Sequence, residues 1–297
     1  MSGSASASSN ASASSGEPAP WSAIERDARV LQTPCGTGEM VWRVWGTGAP
    51  LVLLHGGAGS WRHWLRTIEA FRGERMVVAP DLPGLGESAD VPDTATDGGA
   101  GIVAAGLAEV LGDAAAADLV GFSFGGAIGG LVAAQLPVRS LILVGAGGLG
   151  VIPGGAKLER VRDKEGAARA AAHRTNLHRW MIADPARIDA DAVAIQDWNS
   201  RHARFDSRAI GTSDTLVDVL PSLSCPIAGI WGEHDHSVKG ETDRPRAVLQ
   251  SIQPGSRFVV VPGAGHWVAY EAPDAFAAAL RDLLAPSSAE NRTHEPA

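Results

Sequence analysis

Leu119–Gly130 reads LVGFSFGGAIGG, an apolar run that ends on one serine set among five glycines. Ser123, at the centre of the G-x-S-x-G, is either a nucleophile displayed on a strained turn or a small residue in a chain with 36 glycines among 297 residues. In so glycine-rich a chain the pattern by itself is weak. The two readings part on context, because a nucleophile on such a turn needs a strand running into the serine and a helix leaving it.

Six short stretches are continuously apolar and mostly β-branched: PLVLLH (50–55), RMVVAPD (75–81), DLVGF (118–122), SLILVG (140–145), PIAGIWG (226–232) and RFVVVPG (257–263). Such runs fit strands buried on both faces of a parallel sheet. Helical stretches separate most of them, at 61–72, 99–112, 124–135, 242–251 and 271–284, and the alternation predicts an open α/β sheet. No fixed-period repeat points to a solenoid or propeller. The rhythm breaks once, over residues 146–225, where LERVRDKEGAARAAAHRTNLHRWMI and PARIDADAVAIQDWNSRHARF have helical spacing and Pro185 is placed to open a helix after Asp184. The organisation expected is a disordered leader (1–20), a core in two parts (21–150 and 221–285), an inserted helical cap (151–220) and a disordered tail (286–297).

A hydrophobic content of 45% is ample for a large core. The formal charge of −8, with no basic cluster interleaved with apolar residues, gives no reason to expect nucleic acid or an anionic membrane as partner. A small-molecule substrate is the partner expected. Cys35 and Cys225 lack zinc or C-x-x-C spacing and read as buried thiols in a reducing compartment. MSGSASASSNASASSGEPAP (1–20) has neither the basic start nor the apolar stretch of a secretory signal, and no other stretch approaches a membrane span, so a cytoplasmic location is expected.

In open α/β folds ligands bind beyond the carboxyl ends of the strands. Five such ends carry chemistry: HGGAGSWRHW after Leu54, PDLPGLGES after Ala79, Ser123 after Phe122, GEHD after Trp231 and PGAGHW after Val261. Taken in order, H-G-G, D-L-P-G-L-G-E-S, G-F-S-F-G-G, G-E-H-D and G-A-G-H-W resemble the α/β-hydrolase superfamily over residues 38–285. Chain order Ser, Asp, His is that of the family. The resemblance implies the α/β-hydrolase fold, a mostly parallel central sheet flanked by helices with an inserted helical cap.

It also implies a catalytic triad. A serine hydroxyl is a poor nucleophile until a histidine takes its proton, which assigns Ser123 as nucleophile and His266 as base. Asp235 is then the acid that fixes the imidazole tautomer and stabilises the imidazolium. The backbone N–H groups of Gly57 and Phe124 are the inferred oxyanion donors. Asp81, Glu87 and Ser88 read as loop organisers, and His55 as a residue that shapes the oxyanion loop. Trp61, Trp64 and Trp267 read as packing residues, with Trp267, next to His266, equally placed to join Phe122 as a candidate wall of the substrate pocket. His234, Asp235 and His236 make HDH, but no further ligand motif accompanies them, so neither a metal nor any other cofactor is expected. Most of the cap arginines, Arg160, Arg162, Arg174, Arg179, Arg187, Arg201 and Arg204 among them, are expected to be solvated or ion-paired, with room for one to hold a substrate carboxylate.

A serine nucleophile sets the chain apart from the dehalogenases and epoxide hydrolases of this fold, which carry aspartate there. The HGGAGSW loop and GHW resemble the bacterial ring-cleavage-product hydrolases. Those enzymes show Asn before and Met after the nucleophile and a longer glycine loop, where this chain has Phe122 and Phe124. The readings left open are a serine hydrolase of a small carboxylic ester or lactone acting through an acyl-enzyme, a carbon–carbon bond hydrolase of a dienoate, and a non-catalytic ligand-binding relative. Because every assigned catalytic group lies outside 151–220, the cap is expected to govern specificity rather than the chemical step.

Overall fold

All six apolar runs form strands of one eight-stranded sheet of order β1-β2-β4-β3-β5-β6-β7-β8, in a computed structural model that describes residues 18–92, 95, 97–114, 116–150 and 156–285. The expected tail, all but the last three residues of the expected leader and the first five of the expected cap lie outside the described residues. The strands are β1 (Arg29–Cys35), β2 (Gly38–Trp45), β3 (Pro50–Leu54), β4 (Met76–Pro80), β5 (Asp118–Phe122), β6 (Ser140–Val144), β7 (Ile227–Gly232) and β8 (Arg257–Val261). From β4 across to β8 every pairing is parallel. The hairpin β1–β2 adds an antiparallel edge, with Trp42 opposite Pro80 of β4.

Alternation along the strands sends successive side chains to opposite faces. Leu51, Leu53, Val120, Ile142 and Ile230 pack on one face against the helices Leu65–Phe71 and Pro273–Leu284. Val52, Leu54, Leu119, Leu141 and Leu143 pack on the other against Ala100–Leu111, Phe124–Ala133 and Asp243–Ile252. No helix among the described residues is long and apolar enough to cross a membrane.

Asp118, at the foot of β5, fastens the sheet from below. Its buried carboxylate accepts hydrogen bonds from Arg75 (2.5 Å), Arg139 Nε (2.8 Å) and Ser140 Oγ (2.6 Å). Burial pushes this carboxyl up, but the bonds from Arg139, Ser140 and Arg75 outweigh burial and hold it below the ordinary carboxylate value. A depressed folded pKa stabilises the protein above the unfolded carboxylate value of about 3.9, and that stability is lost as pH falls through the folded value. Asp118→Asn is expected to cost about 3 kcal/mol at neutral pH, because the arginines lose their buried partner. Denaturant titrations from neutral to acid pH should show the difference from the parent shrinking as Asp118 protonates.

Between β6 and β7 the chain forms the helices Gly166–Asn176, Ala190–Arg201, Arg208–Gly211 and Thr215–Val219. The first is shorter than its sequence spacing predicts: Gly166, at φ 51°, turns the chain into it, and residues 158–165 stay outside. It runs on into a wider π-helical turn, Leu177–Met181. Pro185 opens a 3₁₀ turn whose first free N–H, that of Ala186, is capped by Asp184 (2.9 Å). Asp189 caps Ala190–Arg201 in the same way, through Ala192 N (2.8 Å).

Candidate active site

β5 ends on Phe122 and a helix begins at Phe124, which leaves Ser123 alone on the turn at φ 52° and ψ −116°. A non-glycine residue in this region is strained by about 1–3 kcal/mol and persists only where its surroundings enforce it. Here Ser123 N donates to Val144 O (2.9 Å), and Ser123 O accepts from Gly126 N and Gly147 N (3.0 Å each). The flanking glycines permit the approach of helix to sheet. A Cβ on Gly121 would lie 2.4 Å from Gly125 O, and one on Gly125 would lie 2.3 Å from Leu54 O.

After β3 the HGGA turn brings Gly57 beside the elbow, with Ala58 at φ 46°. The N–H groups of Gly57 and Phe124 find no acceptor among the described residues, and both residues line the cavity that holds Ser123. His55 holds this loop in place. Its Nε2 accepts from Leu82 N (2.9 Å), so the proton sits on Nδ1 and is donated to Gly56 O (2.8 Å). Burial lowers the His55 pKa against the opposing pull of Asp81 and the Gly56 carbonyl, which keeps the ring a neutral strut. Asp81 accepts from Trp61 N and Glu87 N (2.9 Å each), Ser88 Oγ accepts from Val41 N (2.9 Å), and Glu87 pairs with Arg43. All three organise loops.

β7 and β8 deliver Asp235 and His266. His266 Nδ1 donates to the buried Asp235 carboxylate, whose oxygens lie 2.9 and 3.0 Å away, and Asp235 Oδ1 also accepts from Ser237 N (2.8 Å) and Oγ (2.7 Å). A carboxylate on Nδ1 fixes the proton there and leaves Nε2 as an acceptor. His266 and Ser123 line the same cavity. Asp235 and His266 are thus joined by hydrogen bonds, whereas Ser123 and His266 meet as walls of one chamber. The two other histidines of HDH turn elsewhere: His234 is exposed beside Glu233, and His236 sets its ring against Trp180 at 5.6 Å. Among the described residues no group of three or more His, Cys, Asp or Glu side chains is placed to hold a metal ion.

The chamber has a volume of about 720 Å³. Phe122 and Phe124 wall it from the elbow, and Leu149, Leu177, Trp180, Met181, Gln196 and Arg208 from the chain between β6 and β7. Phe122 lines the chamber. Of the two readings open for Trp267, packing is the one its surroundings match. Trp267 is wholly buried, stacked on Tyr270 at 4.2 Å, and its Nε1 donates to His63 O (2.8 Å), so its ring packs into the core and not the chamber. The His266 ring meets Phe122 at 4.9 Å and, from the insertion, the ring edge of Trp180 at 5.9 Å. Nothing in LHRWM marks which of its residues face a cavity, because the π turn shifts the helical period there. Among the arginines named from sequence, Arg179 pairs with Glu159, Arg201 with Asp197 and Arg204 with Asp90. The arginine on the chamber wall, Arg208, is outside that group and holds Asp206 through Nε (2.8 Å) and Nη2 (2.6 Å).

The family model described as "Alpha/beta hydrolase family" matches residues 51–279. The chain belongs to the alpha/beta hydrolase family. The matched span of this alpha/beta hydrolase takes in the elbow, the insertion and both strand ends that carry Asp235 and His266. It is 32% identical over 240 residues to the dihydrolipoyllysine-residue acetyltransferase component of the acetoin cleaving system of Pseudomonas putida, a match that covers 76% of this chain but only 61% of that protein. It is 31% identical over 265 residues to the 2-hydroxy-6-oxo-6-phenylhexa-2,4-dienoate hydrolase of Burkholderia cepacia, covering 81% and 89% of the two chains. Among solved structures, an esterase from Rhodococcus sp. ECU1013 superposes with a TM-score of 0.67 at 24% identity over 86% of this chain and 98% of that one, a likeness of fold.

Proposed function

We propose that this alpha/beta hydrolase is a serine hydrolase that cleaves a small carboxylic ester or lactone through an acyl-enzyme. The observation that carries the reading is one apolar chamber holding both a serine on an enforced elbow and a histidine bonded at Nδ1 to a buried carboxylate.

In this scheme Ser123 Oγ attacks the carbonyl carbon while His266 Nε2 takes the hydroxyl proton. The carbonyl π pair moves onto oxygen, and the N–H groups of Gly57 and Phe124 stabilise the oxyanion. Collapse of the intermediate expels the alkoxide, which takes the proton from His266 and leaves an ester on Ser123. A water then gives a proton to His266 and attacks that ester, and as the acid departs His266 returns the proton to Ser123 Oγ. Asp235 stays ionised throughout and stabilises the imidazolium. The scheme calls for no cofactor, and walls such as Phe122, Leu149 and Met181 favour an apolar acyl group.

Purified protein is expected to be labelled at Ser123 by a fluorophosphonate and to turn over a short-chain p-nitrophenyl ester in preference to a dienoate ring-cleavage product. A kcat/KM favouring the dienoate by orders of magnitude would replace the ester reading with carbon–carbon hydrolysis, the activity named for the Burkholderia cepacia relative. A folded protein that resists labelling would point to a ligand-binding relative.

A further inference from the structure

Glu271 is a buried carboxylate that the scheme above leaves unused. Its Oε2 accepts from Gly265 N (2.7 Å), the residue before His266, and from Ala183 N (3.0 Å). Its Oε1 accepts from Asp184 N (2.8 Å). One carboxylate therefore ties the loop that carries the base to the β6–β7 insertion. A second tie lies on the other side of the base, where Trp267 N donates to Met181 O (2.7 Å). The backbones are so close that a Cβ on Gly265 would sit 2.8 Å from Ala183 N and 3.0 Å from Met181 O. Residue 267 is held directly by Met181 and residue 265 through Glu271, and Trp180, one residue before Met181, sets its ring edge against the His266 imidazole.

We propose that Glu271 is a positioning residue for the base, coupling the seating of the insertion to the placement of His266 between Asp235 and the chamber. The proposal rests on the serine-hydrolase reading, and it reverses the expectation that the insertion leaves the chemical step alone. With Met181–Asp184 seated, Glu271 satisfies three N–H groups and the His266 loop is fixed on both flanks. With that segment displaced, two of the three donors leave, and the loop loses the contacts that aim the imidazole.

The test uses the full chain with Glu271→Gln and Glu271→Leu. The glutamine keeps the size and one acceptor oxygen, which can still serve Gly265 N, but sets an NH₂ against the Asp184 N–H. The leucine removes every bond. Misaimed catalytic groups and lost outer hydrogen bonds cost about 10- to 100-fold. In Glu271→Leu, kcat and the rate of fluorophosphonate labelling are expected to fall together by about that factor, with KM changing less than about threefold. The low-field proton resonance of the His266–Asp235 hydrogen bond should also shift or broaden. Glu271→Gln should fall between Leu and the parent, and it carries the test alone if the leucine variant does not fold. Labelling and kcat within about threefold of the parent in a folded variant would overturn the proposal, as would a loss confined to KM. If the parent itself resists labelling, the serine-hydrolase reading fails first, and an undisturbed His266 resonance in Glu271→Leu then overturns the coupling separately.

Discussion

Ser123→Ala is expected to lower kcat on the order of 10⁵- to 10⁶-fold and to abolish fluorophosphonate labelling, while the melting temperature stays close to that of the parent. The variant keeps a Cβ, so the backbone bonds that hold the elbow, from Ser123 N to Val144 O and from Gly126 N and Gly147 N to Ser123 O, are untouched. In the proposed scheme only the attacking atom is lost. Residual turnover should come from the oxyanion donors and from binding, which in a triad enzyme are worth about 10³–10⁴ over water. In the proposed scheme Ser123 and His266 act as a unit, so Ser123→Ala combined with His266→Ala should be scarcely slower than either alone. Retention of more than about a hundredth of the parental kcat would remove Ser123 from the nucleophile role.

The next largest effect is expected for Asp235→Asn, a loss of about 10⁴-fold in kcat with the fold retained. Ser237 donates to Asp235 Oδ1 through both its N–H and its hydroxyl, so an asparagine would be drawn to keep its oxygen at that position. Its NH₂ would then face His266 Nδ1 from the site of Oδ2, now 3.0 Å away. A donor there favours the tautomer protonated on Nε2, which cannot accept a proton from Ser123. The charge that stabilises the imidazolium is lost as well. Steady-state kinetics on a variant with parental melting behaviour provides the measurement, and near-parental turnover would mean that a different carboxylate orients His266.

The strands most legible in the sequence are those buried on both faces. Every residue of β3, β5, β6 and β7 is buried, which demands runs that are apolar apart from the mutually hydrogen-bonded Asp118 and Ser140 at two of their starts, and such runs are conspicuous. The hairpin β1–β2 is not predicted from the sequence. RVLQTPC is half exposed and mixes polar residues with Pro34, as an edge strand facing solvent can, so its pattern resembles that of a loop. The same contrast runs through the insertion, where Pro185 and Asp184 announce a helical start while LERVRDKE has helical spacing without forming a helix.

Sequence by itself determined the elements whose causes are local: the apolar runs, the strand, turn and helix around Ser123, and the GEHD and GAGHW motifs at the ends of β7 and β8. Those features depend on sterics and burial within a few residues, as Gly121 and Gly125 do where a Cβ would strike backbone. Only the tertiary structure decided which side chains wall the chamber. Trp267 adjoins His266 in the chain yet is turned into the core, and Trp180 reaches His266 from the insertion. Glu271 is equally silent in the sequence, because its partner Ala183 lies 88 residues away, and a hydrogen bond between such positions exists only once two separately encoded segments have packed together.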